Sequence, residues 1–293
     1  MDSTFRSIGL VGKYGDPRAG DTLRPLADYL ARRGHAITLD LITAETNPQL
    51  RLPAANMATI ARDCDLCIVV GGDGTLLHAA RELAGHDVPL IGINLGRLGF
   101  LVDVSPETMT DTLDRMLAGE YQEEQRFLLH MVLERGGEHH PCSTSVLNDV
   151  VIHKWNTARM IEYETFINGR FVHRQRADGL VVSTPTGSTA YALSAGGPIL
   201  HPSVNAILLV PICPHTLSNR PYVVDGDSEI EVKICEHDHE HARITCDGDA
   251  CVGLKPGSRV LIRRHDHGIR ILHPQQHDHF QIMRTKLHWS EEL

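Results

Sequence analysis

Residues 69–80 read VVGGDGTLLHAA, a β-branched run that enters three glycines interrupted by one carboxylate, Asp73, before a helical pattern begins. The run predicts a buried strand, and the glycines predict a tight turn whose backbone N–H groups lie beside a positive helix terminus. Phosphate suits such a turn. The predicted phosphate loop comprises Gly71, Gly72, Gly74 and Thr75. Neither a dinucleotide fingerprint nor a Walker loop is present, and a plain strand-to-helix turn capped by Asp73 is the alternative.

The segments around this turn alternate between strand and helix patterns. Strands are predicted in RSIGLVGKYG, HAITLDLI, CDLCIVVGG and VPLIGIN, with helical spacing of apolar residues between them. Another helix is expected to be capped by Ser105 and to begin at Pro106. The alternation predicts an α/β domain over residues 1–125, with a Rossmann-like parallel sheet covered by helices on both sides.

From residue 126 the pattern becomes mostly β. IEYETFINGRFVHRQ alternates around Asn168-Gly169, a pair suited to a two-residue hairpin turn. Further separate short strands are predicted in SEIEVKIC, HARITCDG, SRVLIRRH and GIRILH. These segments predict a β-sandwich domain over residues 126–274, followed by a tail, 275–293, with a helical tendency.

Composition limits the classes of partner. The chain has 293 residues and a formal net charge of -9, which argues against nucleic acid or an anionic membrane as a partner. No run approaches the roughly 18 apolar residues of a membrane span, and the N-terminal residues lack the pattern of a signal peptide. Seven scattered cysteines predict reduced thiols. A cytoplasmic location is therefore expected.

Four more polar segments accompany GGDGT. They are INLGRLGFL (93–101), which could wrap backbone around a ligand, LNDVV (147–151), RADGLVVSTPTGSTAYALSAGGPI (176–199) and PHTLSNRP (214–221). Together the five motifs resemble the NAD kinase family, in its bacterial ATP-using branch, over nearly the whole chain. The resemblance implies transfer of the ATP γ-phosphoryl group to the 2′-hydroxyl of the adenosine ribose of NAD. It also implies a tail that packs back on the first domain, and a homo-oligomer, either a dimer or a tetramer.

The resemblance gives Asp73 a role as general base. An alcohol is a poor nucleophile until its proton can leave, and a carboxylate within hydrogen-bond reach can accept that proton. Gly74 would contact the ligand through its backbone, and His78, one turn into the helix, would face the phosphates. The chemistry implies a divalent cation, most fittingly Mg²⁺, whose ligands remain unassigned because water and nucleotide phosphates can supply most of them.

In the second half the resemblance implies a set of dinucleotide-contacting residues. Asn148 and Asp149 would hold ribose hydroxyls, although the family usually has Glu at the second position. The adenine-binding turn would comprise Thr189, Ala190, Tyr191, Ala192, Leu193 and Ser194. The remaining contacts would come from Arg159, Arg176, Asp178 and Asp249. Arg159 occupies a position where relatives can carry His. Asp249 occupies a position where they often carry Gln.

Two other functions remain open from the residues. A lipid or sugar kinase would share only the GGDGT turn, and a dinucleotide sensor would bind NAD(H) or NADP(H) without turnover. Two motifs resemble metal sites. Cys64-x-x-Cys67 is expected to be a pair of buried thiols. The segment EHDHEH (236–241), and HDH at 265–267 and 277–279, are expected to be solvated rather than metal-binding.

Overall fold

The protein is described by a computed structural model that covers residues 5–96, 99–136, 138–155, 159–216, 218–236 and 242–289. The chain divides into two compact units, Met1–Gln125 with Ile269–Leu293, and Arg126–Gly268. They are called the first and the second unit below. Within the described ranges, no helix has both the length and the apolar character needed to span a membrane.

The first unit alternates strands and helices. In order, its elements are β1 (Ser7–Gly12), α1 (Pro17–Arg32), β2 (Ala36–Asp40), α2 (Leu41–Thr46), β3 (Ala54–Ala55), α3 (Met57–Asp63), β4 (Leu66–Gly71), α4 (Asp73–Glu82), β5 (Leu90–Asn94) and α5 (Met109–Leu117). The strands form a parallel sheet in the order β5-β4-β1-β2-β3. β4 and β5 are buried throughout, as expected where helices cover both faces of a parallel sheet. The predicted α/β fold is confirmed.

One helix start differs from the sequence expectation. Helix α5 begins at Met109 with Thr108 as its N-cap, not at Pro106 after Ser105. The Ser105 hydroxyl instead accepts the N–H of Glu107 at 3.3 Å. Ser105 therefore stabilises a turn that precedes the helix, because its oxygen is used two residues onward rather than at the first helical turn.

The strand β6 (Tyr121–Arg135) leads into the second unit, which is mostly β. Its further elements are β7 (Glu138–Val146), β8 (Asp149–Lys154), β9 (Ile161–Ile167), β10 (Arg170–Ala177), β11 (Gly179–Ser183), α6 (Tyr191–Ser194), β12 (Ala206–Ile212), β13 (Tyr222–Asp225), β14 (Ile230–Ile234), β15 (Ala242–Cys246), β16 (Asp249–Leu254) and β17 (Arg259–Pro274).

Two antiparallel sheets of the second unit enclose one core. The first has the order β13-β12-β11-β8-β15-β16, and the second includes β10-β9-β14-β17. Ile152 and Val182 of the first sheet and Tyr163 and Val232 of the second belong to the same buried cluster. The predicted sandwich is confirmed, since side chains from both sheets fill the space between them.

Turns and strand ends add detail. Asn168 (φ 51°) and Gly169 (φ 73°) join β9 to β10, which confirms the predicted hairpin. The segments SRVLIRRH and GIRILH, expected as separate strands, are one strand, β17. Val260 of this strand belongs to the core of the second unit, and Leu272 belongs to that of the first.

The chain ends in the first unit. Residues 269–274, which the sequence analysis placed in the second domain, belong to the first unit, where Ile271 pairs in parallel with Leu90. Helix α7 (His279–Leu287) follows, and the Asp278 carboxylate caps it by accepting the N–H groups of Phe280 and Gln281. The helical tendency of the tail is confirmed.

Candidate active site

Asp73 is the first residue of α4 and lies directly after the glycine turn. Its carboxylate accepts the backbone N–H of Phe100 at 2.9 Å and that of Leu101 at 3.1 Å. Each carboxylate oxygen has two lone pairs, so both retain capacity for a further hydrogen bond. The residue is only half-buried. Asp73 is thus held in one orientation and is still accessible to a ligand.

Residues 99–101 lie against Asp73. A Cβ at Gly99 would overlap the Asp73 carboxylate, so glycine is required where this backbone approaches the acid. The sequence analysis expected the segment 93–101 to wrap around a ligand. Its Phe100 and Leu101 N–H groups bind Asp73, Arg97 and Leu98 lie outside the described residues, and the ligand contact stays a prediction.

The glycines of the turn at 71–75 differ in whether a side chain would fit at their positions. A Cβ at Gly71 would overlap the Thr75 side chain, whereas a Cβ at Gly72 or Gly74 would meet no heavy atom within 4 Å. Neither Gly72 nor Gly74 has a positive φ. The packing of the protein therefore requires glycine at position 71 only, and the small residues at 72 and 74 leave backbone accessible from outside.

A surface cavity of about 770 Å³ lies beside this turn. Gly72, Gly74, Thr75 and His78 line it, so three members of the predicted phosphate loop and the exposed His78 share one cavity. Lys13 lines it too, a residue that the sequence analysis missed. Lys13 follows β1 directly, and the carboxyl end of a strand in a parallel sheet is where ligand-binding residues are expected.

In the second unit, one carboxylate organises the LND motif. Asp247 accepts three successive backbone N–H groups, from Leu147 at 2.9 Å, Asn148 at 2.7 Å and Asp149 at 3.2 Å. Asn148 precedes β8, so the alternation of strand faces does not force it away from Asp149. The sequence analysis missed Asp247, whose only signal was the Asp-Gly pair that forms the β15–β16 turn, with φ 49° at Asp247.

The surroundings of Asp149 in this motif disfavour the charged form of its carboxyl group. Asp149 is buried, with 4% of its surface exposed. Burial, and to a smaller extent the charge of Asp247, raises the pKa of Asp149 to about 7. A buried carboxyl group that titrates near neutrality is typical of functional sites, because a ligand donor can compensate for its desolvation.

In the hydroxyl-dense turn that follows β11, the Thr184 and Ser188 side chains bind backbone carbonyl groups of the protein itself. Thr184 donates its hydroxyl to the Leu147 carbonyl at 2.6 Å, and Ser188 donates to the Pro185 carbonyl at 2.6 Å. A Cβ at Gly187 would overlap the Asn148 carbonyl oxygen. This part of the segment is therefore buried scaffolding that fixes the LND motif.

The adenine-binding turn predicted at 189–194 is partly accessible. Thr189, Ala190 and Leu193 are half-buried, while Tyr191 and Ser194 are exposed. Ala192 differs, because its side chain is fully buried in a cluster with Val151, Val181, Leu208 and Val210. The ligand contact of Ala192 stays a prediction, and it would involve the backbone because the methyl group is packed within this cluster.

The remaining predicted residues are distributed over the second unit. Asp178 is half-buried, and its carboxylate accepts a hydrogen bond from Lys154 Nζ at 2.7 Å. A ligand amide would have to share Asp178 with this lysine, which the sequence analysis missed. Arg159, Arg176 and Asp249 are exposed. Asp249 is the first residue of β16, directly after the Asp-Gly turn.

The predictions for the motifs that resemble metal sites, Cys64-x-x-Cys67 and the histidine-rich segments, are confirmed only in part. Cys64 and Cys67 are buried thiols, as predicted. In the segment 265–267, Asp266 and His267 are exposed and His265 is half-buried. The solvated interpretation of 277–279 is wrong, because the His277 side chain is 3% exposed and His279 is buried. They are buried because the segment packs within the first unit. In EHDHEH, residues 237–241 lie outside the described residues.

Comparisons with known proteins agree with one another. Residues 8–121 match the model of the ATP-NAD kinase N-terminal domain, and residues 147–273 match that of the ATP-NAD kinase C-terminal domain. A protein of Nitrosococcus oceani named NAD kinase is 50% identical over 293 residues, covering 100% of both chains. One of Hahella chejuensis, also named NAD kinase, is 48% identical over 288 residues, or 98% of this chain and 96% of that protein.

Two solved structures extend this similarity. The crystal structure of yeast NADH kinase complexed with NADH has a TM-score of 0.91 and 25% identity, covering 100% of this chain and 90% of that one. An NAD kinase from Archaeoglobus fulgidus in complex with ATP has a TM-score of 0.75 and 26% identity, covering 96% of this chain and 98% of that one.

Proposed function

Because the chain belongs to the NAD kinase family and therefore phosphorylates NAD, we propose that ATP is the donor and that the adenosine ribose 2′-hydroxyl is the acceptor. The orientation of Asp73 carries this proposal. A half-buried carboxylate, fixed by two backbone N–H groups at the start of a helix, has the acceptor capacity that a general base needs.

In the proposed step, Asp73 accepts the proton of the 2′-hydroxyl while the hydroxyl oxygen bonds to the γ-phosphorus of ATP. The bond between the γ-phosphorus and the bridging oxygen breaks, ADP leaves, and NADP is formed. The cavity lined by Gly72, Gly74, Thr75 and Lys13 supports phosphate binding in the first unit. Its exposed backbone and its lysine offer the donors that phosphate oxygens accept, and His78 lies on the same cavity.

The proposal gives the second unit the binding of NAD. Asn148 and Asp149 would hold ribose hydroxyls, with Asp149 accepting their hydrogen bonds. Tyr191 would offer its ring to adenine, flanked by Thr189, Ala190, Ala192, Leu193 and Ser194, with Ala192 contributing backbone only. The residues proposed for the remaining contacts are Arg159, Arg176, Asp178 and Asp249.

A divalent cation, Mg²⁺, is proposed to accompany ATP. Two carboxylates, Asp40 and Glu45, line the same cavity as the glycine turn. The Asp40 carboxylate also caps α2 by accepting the Thr43 N–H, and Glu45 is exposed. One or two carboxylates with water and phosphate oxygens form the usual Mg²⁺ environment, so these residues fit the ion, which would neutralise phosphate charge. A cytoplasmic location and a homo-oligomer, dimer or tetramer, complete the proposal.

A product assay with matched acceptors tests the reaction. The purified chain is incubated with ATP, Mg²⁺ and either NAD or an NAD analogue that lacks the 2′-hydroxyl of the adenosine ribose (2′-deoxy-NAD). NADP is detected with an NADP-specific dehydrogenase and by mass spectrometry. We expect a phosphorylated product from NAD and none from the deoxy compound. Phosphorylation of 2′-deoxy-NAD would contradict the acceptor assignment. A lipid or sugar kinase would ignore NAD, and a sensor would bind it without turnover.

A further inference from the structure

Four side chains of the first unit, none of them assigned to the proposed reaction, converge. They are Asp103, in the loop after β5, Glu124 on β6, His273 near the end of β17, and His277 just before α7. We call them the His273–His277 cluster. The two imidazole rings are stacked, with centroids 3.9 Å apart and planes 28° from parallel.

Asp103 engages one edge of both rings. Its Oδ2 lies 3.0 Å from Nδ1 of His273 and 2.7 Å from Nδ1 of His277. Since one carboxylate oxygen accepts from both, each ring donates its Nδ1–H, and the neutral ring then carries a lone pair on Nε2. These two distances are hydrogen-bond lengths. Two ligands of a tetrahedral zinc ion lie about 3.3 Å apart, so no ion fits between Asp103 and the rings.

Glu124 faces the other edge of both rings at a longer distance. Its Oε2 is 3.5 Å from Nε2 of His273, and its Oε1 is 3.7 Å from Nε2 of His277. Both distances exceed those of ordinary hydrogen bonds. The two side chains are 0% and 3% exposed, and neither Nε2 has a hydrogen-bond partner among the residues the structure describes. Lone pairs that face a carboxylate repel it unless a proton or a metal cation lies between them.

We propose that the His273–His277 cluster binds a divalent transition-metal ion of the zinc class. The ligands are Nε2 of His273, Nε2 of His277 and the Glu124 carboxylate, and Asp103 orients both rings. Imidazole nitrogen with carboxylate oxygen is a donor set that zinc prefers and Mg²⁺ does not. A carboxylate that accepts the second N–H of a metal-bound histidine is the usual outer-shell arrangement, and here one carboxylate serves both rings.

The proposed role of the ion is structural. Glu124 on β6 lies far in the sequence from the other two ligands, His273 near the end of β17 and His277 before α7. A bound ion would therefore fasten the returning C-terminal segment within the first unit. Ligands on separate segments are brought together only by folding, so the free energy of metal binding adds to that of folding.

Metal analysis of the full-length chain tests this inference. The protein is purified without a polyhistidine tag and without chelator, and its metal content is measured by plasma mass spectrometry. It is then stripped with chelator and titrated with Zn²⁺ and with Co²⁺. We expect one equivalent per chain and a higher thermal unfolding midpoint for the metal-bound form. The Co²⁺ form should show visible d–d bands without the near-ultraviolet band of thiolate ligands, which excludes the cysteines.

Substitutions locate the ion. Glu124→Gln and His277→Gln should each abolish stoichiometric binding, and Asp103→Asn should keep the site but weaken it by about 10–100-fold. Two controls should retain one equivalent: His267→Gln at an exposed position, and the triple substitution His237→Gln, His239→Gln and His241→Gln. The wild-type titration does not depend on how the variants fold. Absence of binding at micromolar Zn²⁺, a thiolate spectrum, or full binding by both Glu124→Gln and His277→Gln would overturn the inference. The four side chains would then form only an ion-pair cluster.

Discussion

Two glycine-containing turns illustrate how similar sequences serve different ends. In the turn at 71–75, Gly74 has no neighbouring heavy atom where a Cβ would lie, and a cavity opens beside it. In the turn at 183–189, Gly187 is packed against the Asn148 carbonyl and the hydroxyls of Thr184 and Ser188 are bonded internally. The first turn leaves backbone accessible to a ligand, whereas the second holds the adjacent LND motif in place. Substitutions should separate these roles, and their expected effects on the free energy of unfolding decrease in the order below.

Gly187→Ala should have the largest effect on folding. The added methyl group would overlap a backbone oxygen that cannot move without distorting β8, so we expect a loss of about 3 kcal/mol in the free energy of unfolding. Urea denaturation measures it. Equal stability of Gly187→Ala and the wild type would remove the contrast between the two turns.

Asp247→Ala should have the next largest effect. Three backbone N–H groups, those of Leu147, Asn148 and Asp149, lose their shared acceptor, which should cost about 2 kcal/mol. Asp249→Ala, two residues away on an exposed position, is the control and should change the free energy of unfolding little. A similar loss in both variants would show that the carboxylate of Asp247 does not organise the motif.

Asp149→Asn should change how stability depends on pH. The pKa of Asp149 is raised to about 7 in the folded protein, so the folded state binds more protons than the unfolded state between about pH 4 and 7. The contribution of Asp149 therefore falls as pH rises through this window and stays low above it. Removing the charge should stabilise the protein by about 1–2 kcal/mol at pH 8 and by little near pH 4. An offset independent of pH, in urea unfolding at several pH values, would contradict the raised pKa.

Gly74→Ala should have the smallest effect on folding, yet it should impair function. A methyl group meets no heavy atom there, and alanine in a helix is favoured over glycine by about 0.5–1 kcal/mol, so stability should stay equal or rise. If ATP phosphates approach this backbone, kcat/KM for ATP should fall by at least about tenfold. Unchanged kinetics would mean that no ligand comes close to position 74.

Local patterns sufficed where the structure depends on neighbours in sequence. The apolar run before the glycine turn, the helical spacing after it and the Asn168-Gly169 pair each identify their element, because periodicity and positive φ are local properties. Partners distant in sequence could not be predicted. Asp247 binds amides about a hundred residues earlier, and the buried His277 side chain lies beside Asp103 and Glu124. For the same reason the local sequence could not reveal that the Ala192 side chain is fully buried.

The central claim is that Asp73 removes the proton of the ribose hydroxyl. The most direct test is single-turnover phosphorylation of NAD by Asp73→Asn, combined with NAD binding by calorimetry and with urea unfolding to verify the fold. The account predicts that the Kd for NAD stays near the wild-type value while the rate of the chemical step falls by about 10²–10⁴-fold. A folded Asp73→Asn variant that phosphorylates NAD at the wild-type rate would contradict it.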